Sequence, residues 1–330
     1  MNLRRQAVGI GGLALLAILI SASAWAADVD DTIEEIEEVT ETNFDEEIIF
    51  DWRTSPWIRF RLSMNVIPDA DFSSADVTST RVAGVVKMLL PVSERLAFRG
   101  VIKSGAAFYD FDGDKGFLDG GSTSGDPFDD LIETVISVGG RYQVNDAWSA
   151  IGRTYLTSRH EDDASFGSGI EGGGMVGASF GWRDRVSVIG GVGIGSRMAS
   201  GAVRILPVFQ AKWKISDRFK LVVDGFQGRL SAKICEPFRL AVFGGIEGKR
   251  YRLEDRDGAI GKGTFRDRRA IVGLRGDWRM NPRWRIRTEL GSVIDQELKI
   301  EDSDGSDIDE SHSKGLAFYG SLRVEYRFGR

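Results

Sequence analysis

Residues 175–194, MVGASFGWRDRVSVIGGVGI, show most clearly the pattern from which the fold can be predicted. Before the polar turn Arg183-Asp184, apolar or small residues occupy every second position and end on Trp182. After the turn, apolar residues return at alternate positions, beginning with Val186. Alternation with a period of two is typical of a β-strand with one apolar face. The stretch therefore predicts two antiparallel strands joined by a tight turn.

The same pattern recurs along most of the chain. Segments of about ten residues, the length of a membrane-spanning strand, meet at short polar turns and run at their other ends into longer Gly- and Asp-rich loops. We therefore predict an all-β fold over residues 52–330, a transmembrane antiparallel up-and-down β-barrel of 14 strands, or of 12 if the two short segments around Gln227-Gly228 do not cross. Six short turns mark one end of the barrel: Ser93-Glu94, Asn145-Asp146, Arg183-Asp184, Ser216-Asp217, Glu236-Pro237 and Asn281-Pro282.

Tryptophan is concentrated at the ends that carry the short turns. An amphipathic indole is favoured at the boundary between membrane and water. We predict that this end faces the periplasm, because an even number of strands places both termini there and long loops face outward. Six of the eight tryptophans are predicted to form a membrane-interface ring at that end: Trp57, Trp148, Trp182, Trp213, Trp278 and Trp284.

The first 51 residues predict export and a separate tail. Arg4 and Arg5 precede an apolar run over residues 8–20, and Ala24-Trp25-Ala26 is a small-x-small cleavage site. Residues 1–26 are therefore expected to be a signal peptide that is removed. Residues 27–51 form an acidic tail with twelve Asp or Glu and no Lys or Arg. The tail is predicted to be a disordered periplasmic linker, or a short helix that docks on a partner or plugs the barrel.

Composition also limits the partners. Cys235 is the only cysteine, so an internal disulfide cannot form. No basic cluster stands apart from the strand pattern, which together with export argues against nucleic acid as a partner. The partners expected for such a chain are outer-membrane lipid, lipopolysaccharide and the barrel-assembly machinery, and the expected location is the cell outer membrane.

Residues 52–330 resemble a bacterial outer-membrane β-barrel protein, and more narrowly an uncharacterised barrel family of unknown function. Residues 204–208, RILPV, running on to Trp213 and a turn, carry the narrower likeness. The last strand ends on the aromatic Phe328, as outer-membrane barrels do, and departs from that pattern by adding Gly329 and Arg330. The resemblance implies a fold and a location, and no activity.

Basic residues dominate the face of the strands that is opposite the apolar rows. Such a lining favours anions, because fixed positive charge raises their local concentration. The alternative is a packed lumen of Arg–carboxylate pairs without an open path. We predict five arginines as pore-lining residues: Arg81, Arg141, Arg153, Arg275 and Arg287.

One acidic loop resembles a cation site in composition. Asp302, Asp304, Asp307 and Asp309 surround Gly305 and offer the oxygen ligands that calcium prefers. The spacing does not match an EF-hand, and a solvated acidic loop is the alternative interpretation. Calcium is the one cofactor that the sequence suggests.

Histidine is too sparse to indicate catalysis. His160 and His312 are the only two, both in predicted outward loops, and neither has a partner that the sequence can place. We expect no enzymatic activity. The leading hypothesis is porin-like passive passage of small anionic solutes through a basic lumen. The alternatives are a closed barrel that anchors outward loops for adhesion, surface structure or divalent-cation binding, and transport of hydrophobic ligands through a lateral gap near Gln227.

Overall fold

The computed structural model describes residues 56–72, 75–112, 127–183, 185–196, 198, 203–255, 262–303 and 305–329. The expected signal peptide 1–26, the acidic tail 27–51 and most of the loop after residue 112 lie outside this range, as does Asp304. Among the described residues, no helix has the length and apolarity needed to cross a membrane.

The described residues fold into strands joined by turns, with one 3-10 helix at Phe166–Gly169. Fifteen strands are present in this part of the chain: β1 Trp57–Asp71, β2 Asp76–Pro91, β3 Leu96–Asp112, β4 Leu131–Gln143, β5 Trp148–Glu161, β6 Ile170–Trp182, β7 Val186–Ser196, β8 Val203–Lys214, β9 Phe219–Asp224, β10 Gln227–Lys233, β11 Phe238–Arg252, β12 Thr264–Arg279, β13 Trp284–Glu301, β14 Asp307–His312 and β15 Ala317–Phe328.

Fourteen of these strands close into one antiparallel barrel, as the sequence predicts. Each strand pairs with the next along the chain up to β13; β13 then pairs with β15, and β15 closes the ring on β1. Both short strands, β9 and β10, are paired into the wall, so the twelve-strand alternative is wrong. The turn between them lies at Gly225-Phe226, two residues before the predicted position, and Gly225 has a φ of 53° that glycine adopts without steric cost.

One predicted loop is ordered as strand. Residues 296–314 are acidic and Gly-containing and therefore predict a loop, yet β13 continues to Glu301 and pairs with β14 in a hairpin beyond the barrel wall. Leu298 and Ile300 explain the difference, because both are fully buried in the apolar core at that end. Leu298 and Ile300 alternate with Lys299 and Glu301, as in a strand. This alternation covers only four residues, too few to predict a strand from the sequence.

The two faces of the wall differ in polarity. On β1, Ile58, Phe60 and Leu62 are exposed on the outside, whereas Arg59 and Arg61 point inward and pair with Glu325 on β15 at 3.3 and 3.4 Å. An apolar outside with a polar inside is the arrangement that a lipid-embedded barrel requires.

An apolar core fills the barrel at the end opposite the short turns, which we call the outer end. At its edge, β11 reaches β5 through a pairing of Arg252 with His160, although these strands are not neighbours in the ring. Loop residues Phe128 and Leu253 insert into the core. Strand and loop residues together form it: Ile67, Ala70, Phe72, Val77, Ala107, Tyr109, Phe128, Leu131, Tyr251, Leu253, Phe265, Ile271, Val293, Leu298, Ile300, Ala317 and Tyr319.

Candidate functional site: the barrel lumen

A cavity of about 190 Å³ lies inside the lumen, between the short-turn end and the apolar core. Three of the five arginines predicted to line a pore, Arg81, Arg275 and Arg287, line this cavity. Its charged lining comprises nine basic residues, Arg61, Arg81, Lys87, Lys103, Arg229, Lys249, Arg275, Arg287 and Arg323, and four acidic residues, Glu133, Asp224, Glu247 and Glu289.

Asp267 lies toward the outer end of the lumen and binds Arg81, which lines the cavity. Its carboxylate accepts hydrogen bonds from Arg81 at 2.8 Å, from Tyr109 at 2.6 Å and from Gln296 at 3.0 Å, and Arg269 donates to it as well. A carboxylate without any solvent exposure needs such partners, because an uncompensated buried charge is very costly. The donors belong to β2, β3, β12 and β13, so this single residue connects strands across the lumen.

Glu133 on β4 forms a second centre of charge. Lys103 on β3, Lys249 on β11 and Arg159 on β5 contact its carboxylate at 2.9, 3.0 and 3.0 Å. Lys249 brings β11 to strands that are not its neighbours in the ring. The cluster therefore fastens β11 to the β3–β5 wall just below the pairing of Arg252 with His160.

Ion pairs toward the short-turn end neutralise part of the basic row. Arg275 contacts Glu289 at 2.6 Å, and Tyr319 donates to the same carboxylate at 3.2 Å. Arg287 contacts Asp277 at 2.8 Å. The predicted basic face and the alternative of Arg–carboxylate pairs are thus both present, with a basic excess around the cavity.

The other two predicted lining arginines lie on β4 and β5, outside the cavity wall. Arg141 donates to the hydroxyl of Ser149 at 3.0 Å, and Arg153 donates to Ser137 at 3.0 and 3.2 Å. Both side chains are directed inward on strands that continue toward the short turns.

The wall formed by β6, β7 and β8 is lined differently. Its inward positions between Gly173 and Val208 hold glycine, serine and apolar side chains, with Arg204 as the charged exception. Tyr155, Met175 and Val208 form a buried apolar cluster on this side. The lumen is therefore mainly basic around the cavity and mainly glycine, serine and apolar along β6, β7 and β8, an asymmetry that the alternation pattern alone does not reveal.

Five of the six predicted interface tryptophans lie on the outer face near the short turns, with exposed fractions between 42% and 52%: Trp148, Trp182, Trp213, Trp278 and Trp284. The prediction is wrong for Trp57, which is only 4% exposed and packs inside the barrel against Leu89 and Ala97. The guanidinium groups of Arg59 and Arg327 lie 4.7 and 5.6 Å from its ring centroid. Trp57 shares strand parity with the inward Arg59, and that parity predicts its position correctly.

The described aspartates of the predicted calcium site pair with other groups or lie on a strand. In the part of the chain that is described, no three His, Cys, Asp or Glu side chains are grouped as metal ligands. Asp302 accepts from the backbone of Ser306 at 2.8 Å, and Asp307 pairs with Lys299 at 2.9 Å. Asp309 lies on β14, paired with β13, and Asp304 is outside the described residues.

The two histidines lie apart, at the outer end. His160 closes the β5–β11 contact, and its Nδ1 lies 2.8 Å from the carbonyl of Glu161. His312, at the end of β14, lies 3.1 Å from a carboxylate oxygen of Glu310.

Comparison with known proteins gives a family likeness and a general fold likeness. A search of curated proteins found no match. Similar solved structures include an outer membrane channel from Pseudomonas putida F1, at 12% identity and a TM-score of 0.45 over 83% of this chain and 96% of that one. A Pseudomonas aeruginosa FadL homologue has 11% identity and a TM-score of 0.44 over 82% and 90%. The chain is a β-barrel of outer-membrane type, and its residues 172–327 match the family described as a domain of unknown function (DUF6268).

Proposed function

We propose that this protein is an outer-membrane channel through which small anionic solutes diffuse along a basic lumen. The observation that carries the proposal is the charged lining of the cavity, nine basic residues against four acidic ones. Fixed positive charge inside a low-dielectric wall concentrates anions and disfavours cations. In this proposal the signal peptide 1–26 is removed, the short turns face the periplasm, and the outer tryptophans lie at the lipid boundary.

The cavity also limits the size of the solute. Its volume of about 190 Å³ is below the roughly 300–1,000 Å³ typical of pockets that hold drug-sized ligands. The apolar core fills the outer end, so passage along the axis requires that core to move. We therefore expect a narrow, low-conductance channel.

Flux into vesicles tests the proposal. Protein extracted from outer membranes is reconstituted and exposed to methanesulfonate or to tetramethylammonium, two permanently charged ions with the same number of heavy atoms. We expect methanesulfonate to enter faster, with protein-free vesicles as the control. Faster entry of tetramethylammonium, or exclusion of both ions, would contradict the proposal.

A specific observation favours transport of hydrophobic ligands as a second candidate. β9 and β10 have only six and seven residues, so the barrel wall is shorter at this hairpin than elsewhere and leaves a lateral gap.

The closed-barrel alternative is distinguished by the same vesicles. Exclusion of every solute, together with protease-accessible outer loops on intact cells, is the result that it predicts.

A further inference from the structure

The barrel wall is interrupted above the β9–β10 hairpin. Six residues at about 3.3 Å each, tilted by roughly 40°, rise only about 15 Å, whereas the apolar band of such barrels is about 25 Å tall. At the tip of the hairpin, pairing with the neighbouring strands ends. The last residue pairs are Asp224 with Gln210 on β8 and Gln227 with Gly245 on β11. Within the described residues, no strand pairing joins residues 203–209 of β8 to residues 246–251 of β11. We call these two segments the lateral seam.

The seam lies at the level of the membrane. Val203 and Ile205 are 69% and 71% exposed on the outer face of β8, on the same strand as the outward-facing Trp213. Pro207 lies in the middle of the β8 segment. Proline has no N–H for a strand ladder and is found at sheet edges, where it discourages pairing with a further strand. This part of β8, which belongs to the RILPV stretch, is therefore built as an edge.

Apolar side chains lie directly behind the seam. Leu206 and Val208 face inward and are 7% and 3% exposed, and Val208 packs with Met175 and Tyr155. Arg204, at the outer end of the same segment, shares their inward parity. The basic cavity begins just below, because Gln227 and the neighbouring Arg229 of the hairpin line it. A path through the seam thus passes from lipid across an apolar cluster to positive charge.

The seam is also the weakest part of the wall. Opening the barrel elsewhere would break backbone hydrogen bonds within lipid, where water cannot replace them. Opening the seam between residues 203–208 and 246–251 displaces side chains and breaks no strand pair among the described residues. The axial route, by contrast, is filled by the apolar core at the outer end.

From this geometry we infer that the lateral seam is a portal through which anionic amphiphiles pass between the outer leaflet and the lumen. The apolar body of the ligand lies against Leu206 and Val208, and its acidic head reaches Arg229. The inference rests on the proposed function, since it assigns the route and the class of anion to the same basic cavity.

Photolabelling tests the route. Protein in outer-membrane extracts is irradiated with a long-chain carboxylic acid that carries a diazirine, and with its methyl ester as the uncharged probe. We expect the acid to label residues 203–209 and 246–251 above the level of the remaining lipid-facing surface, and the ester to do so less. Equal labelling around the barrel, or no preference for the acid, would overturn the inference.

Two variants locate the head and the body of the ligand. Arg229→Gln is expected to weaken binding of the acid by about tenfold, the effect of losing one charge-assisted hydrogen bond. Arg99→Gln is the matched control, an inward arginine of β3 that does not line the cavity. Leu206→Trp is expected to block seam labelling, with Val176→Trp on the outer face of β6 as its control. Heat-modifiable mobility on gels verifies that each variant is folded.

The two proposals fail separately. Selective methanesulfonate flux without seam labelling would overturn the portal and leave the channel in place. Seam labelling by the acid without any methanesulfonate flux would overturn passive passage of small anions and support the portal.

Discussion

The hydroxyl of Tyr109 on β3 donates a 2.6 Å hydrogen bond to Asp267 on β12, a strand that is not its neighbour in the barrel. Arg81 on β2 bonds to both residues, at 3.1 Å to the Tyr109 hydroxyl and at 2.8 Å to Asp267. This bridge lies beside the apolar core, so polar and apolar contacts together hold the outer end closed.

Asp267→Asn is expected to destabilise the barrel. The substitution leaves Arg81 and Arg269 near a neutral amide, and removal of one partner from a buried ion pair typically costs about 3–5 kcal/mol. The measurement is the urea midpoint of the gel-mobility shift between folded and unfolded forms. Asp217→Asn is the control, because that aspartate pairs with Lys214 on the exposed surface of a turn. Equal midpoints for the two variants would contradict the role assigned to Asp267.

Glu133→Gln is expected to loosen the outer end. Without the carboxylate, Lys103, Lys249 and Arg159 remain close together and repel one another. β11 then keeps only its contacts near Arg252 and His160 with the β3–β5 wall. We expect higher single-channel conductance than in the wild type, with a lower urea midpoint. Unchanged conductance in a variant that is folded would show that this cluster does not restrict passage.

Trp57→Ala should be far more damaging than Trp213→Ala. Trp57 packs inside against Leu89 and Ala97, and truncation of a buried tryptophan costs about 3–5 kcal/mol. Trp213 is half exposed on the outer face, where lipid can fill the space that it leaves. Unfolding midpoints provide the comparison, and quenching by brominated lipid, expected for Trp213 and absent for Trp57, checks the two positions independently.

Gly225→Ala should cost roughly 1 kcal/mol, because its left-handed φ of 53° is strained for an L-residue with a side chain. Gly190→Ala is the matched control, since nothing lies within 4 Å of an added Cβ there. Equal effects on the urea midpoint would show that the β9–β10 turn is not centred at Gly225-Phe226.

Replacement of Arg81, Arg275 and Arg287 by Glu should reverse ion selectivity. The substitutions turn the basic excess of the cavity lining into a slight acidic excess, and cations are then the favoured ions. Reversal potentials under a salt gradient report the change once folding has been verified by gel mobility. Selectivity that matches the wild type would remove these arginines from the permeation path.

The alternation of apolar and polar residues predicts the barrel and the inward direction of the arginines, whereas the choice between 14 and 12 strands required the pairing of β9 and β10. The prediction for Trp57 was wrong, because the count of tryptophans near the short turns was given more weight than the parity that Trp57 shares with the inward Arg59. Asp267 was missed because it stands among Arg266, Arg268 and Arg269 at the start of a strand, where the charge run obscures the alternation.

Contacts between distant strands could not be predicted. Lys249 occupies the charged run KRYR after Gly248, and only the tertiary structure shows that it meets Glu133. The short strands near Gln227 suggested a weak region of the wall, whereas the apolar side chains behind it became evident only when β5, β6 and β8 were assembled.

The reversal potential of single channels shows directly whether the basic lumen conducts anions. Protein extracted from outer membranes is inserted into a planar bilayer under a potassium chloride gradient. An anion-conducting lumen predicts small discrete current steps and a reversal potential of the sign that chloride preference gives. A folded, heat-modifiable barrel that passes no current, or that prefers potassium, would contradict the claim that the basic lumen conducts anions.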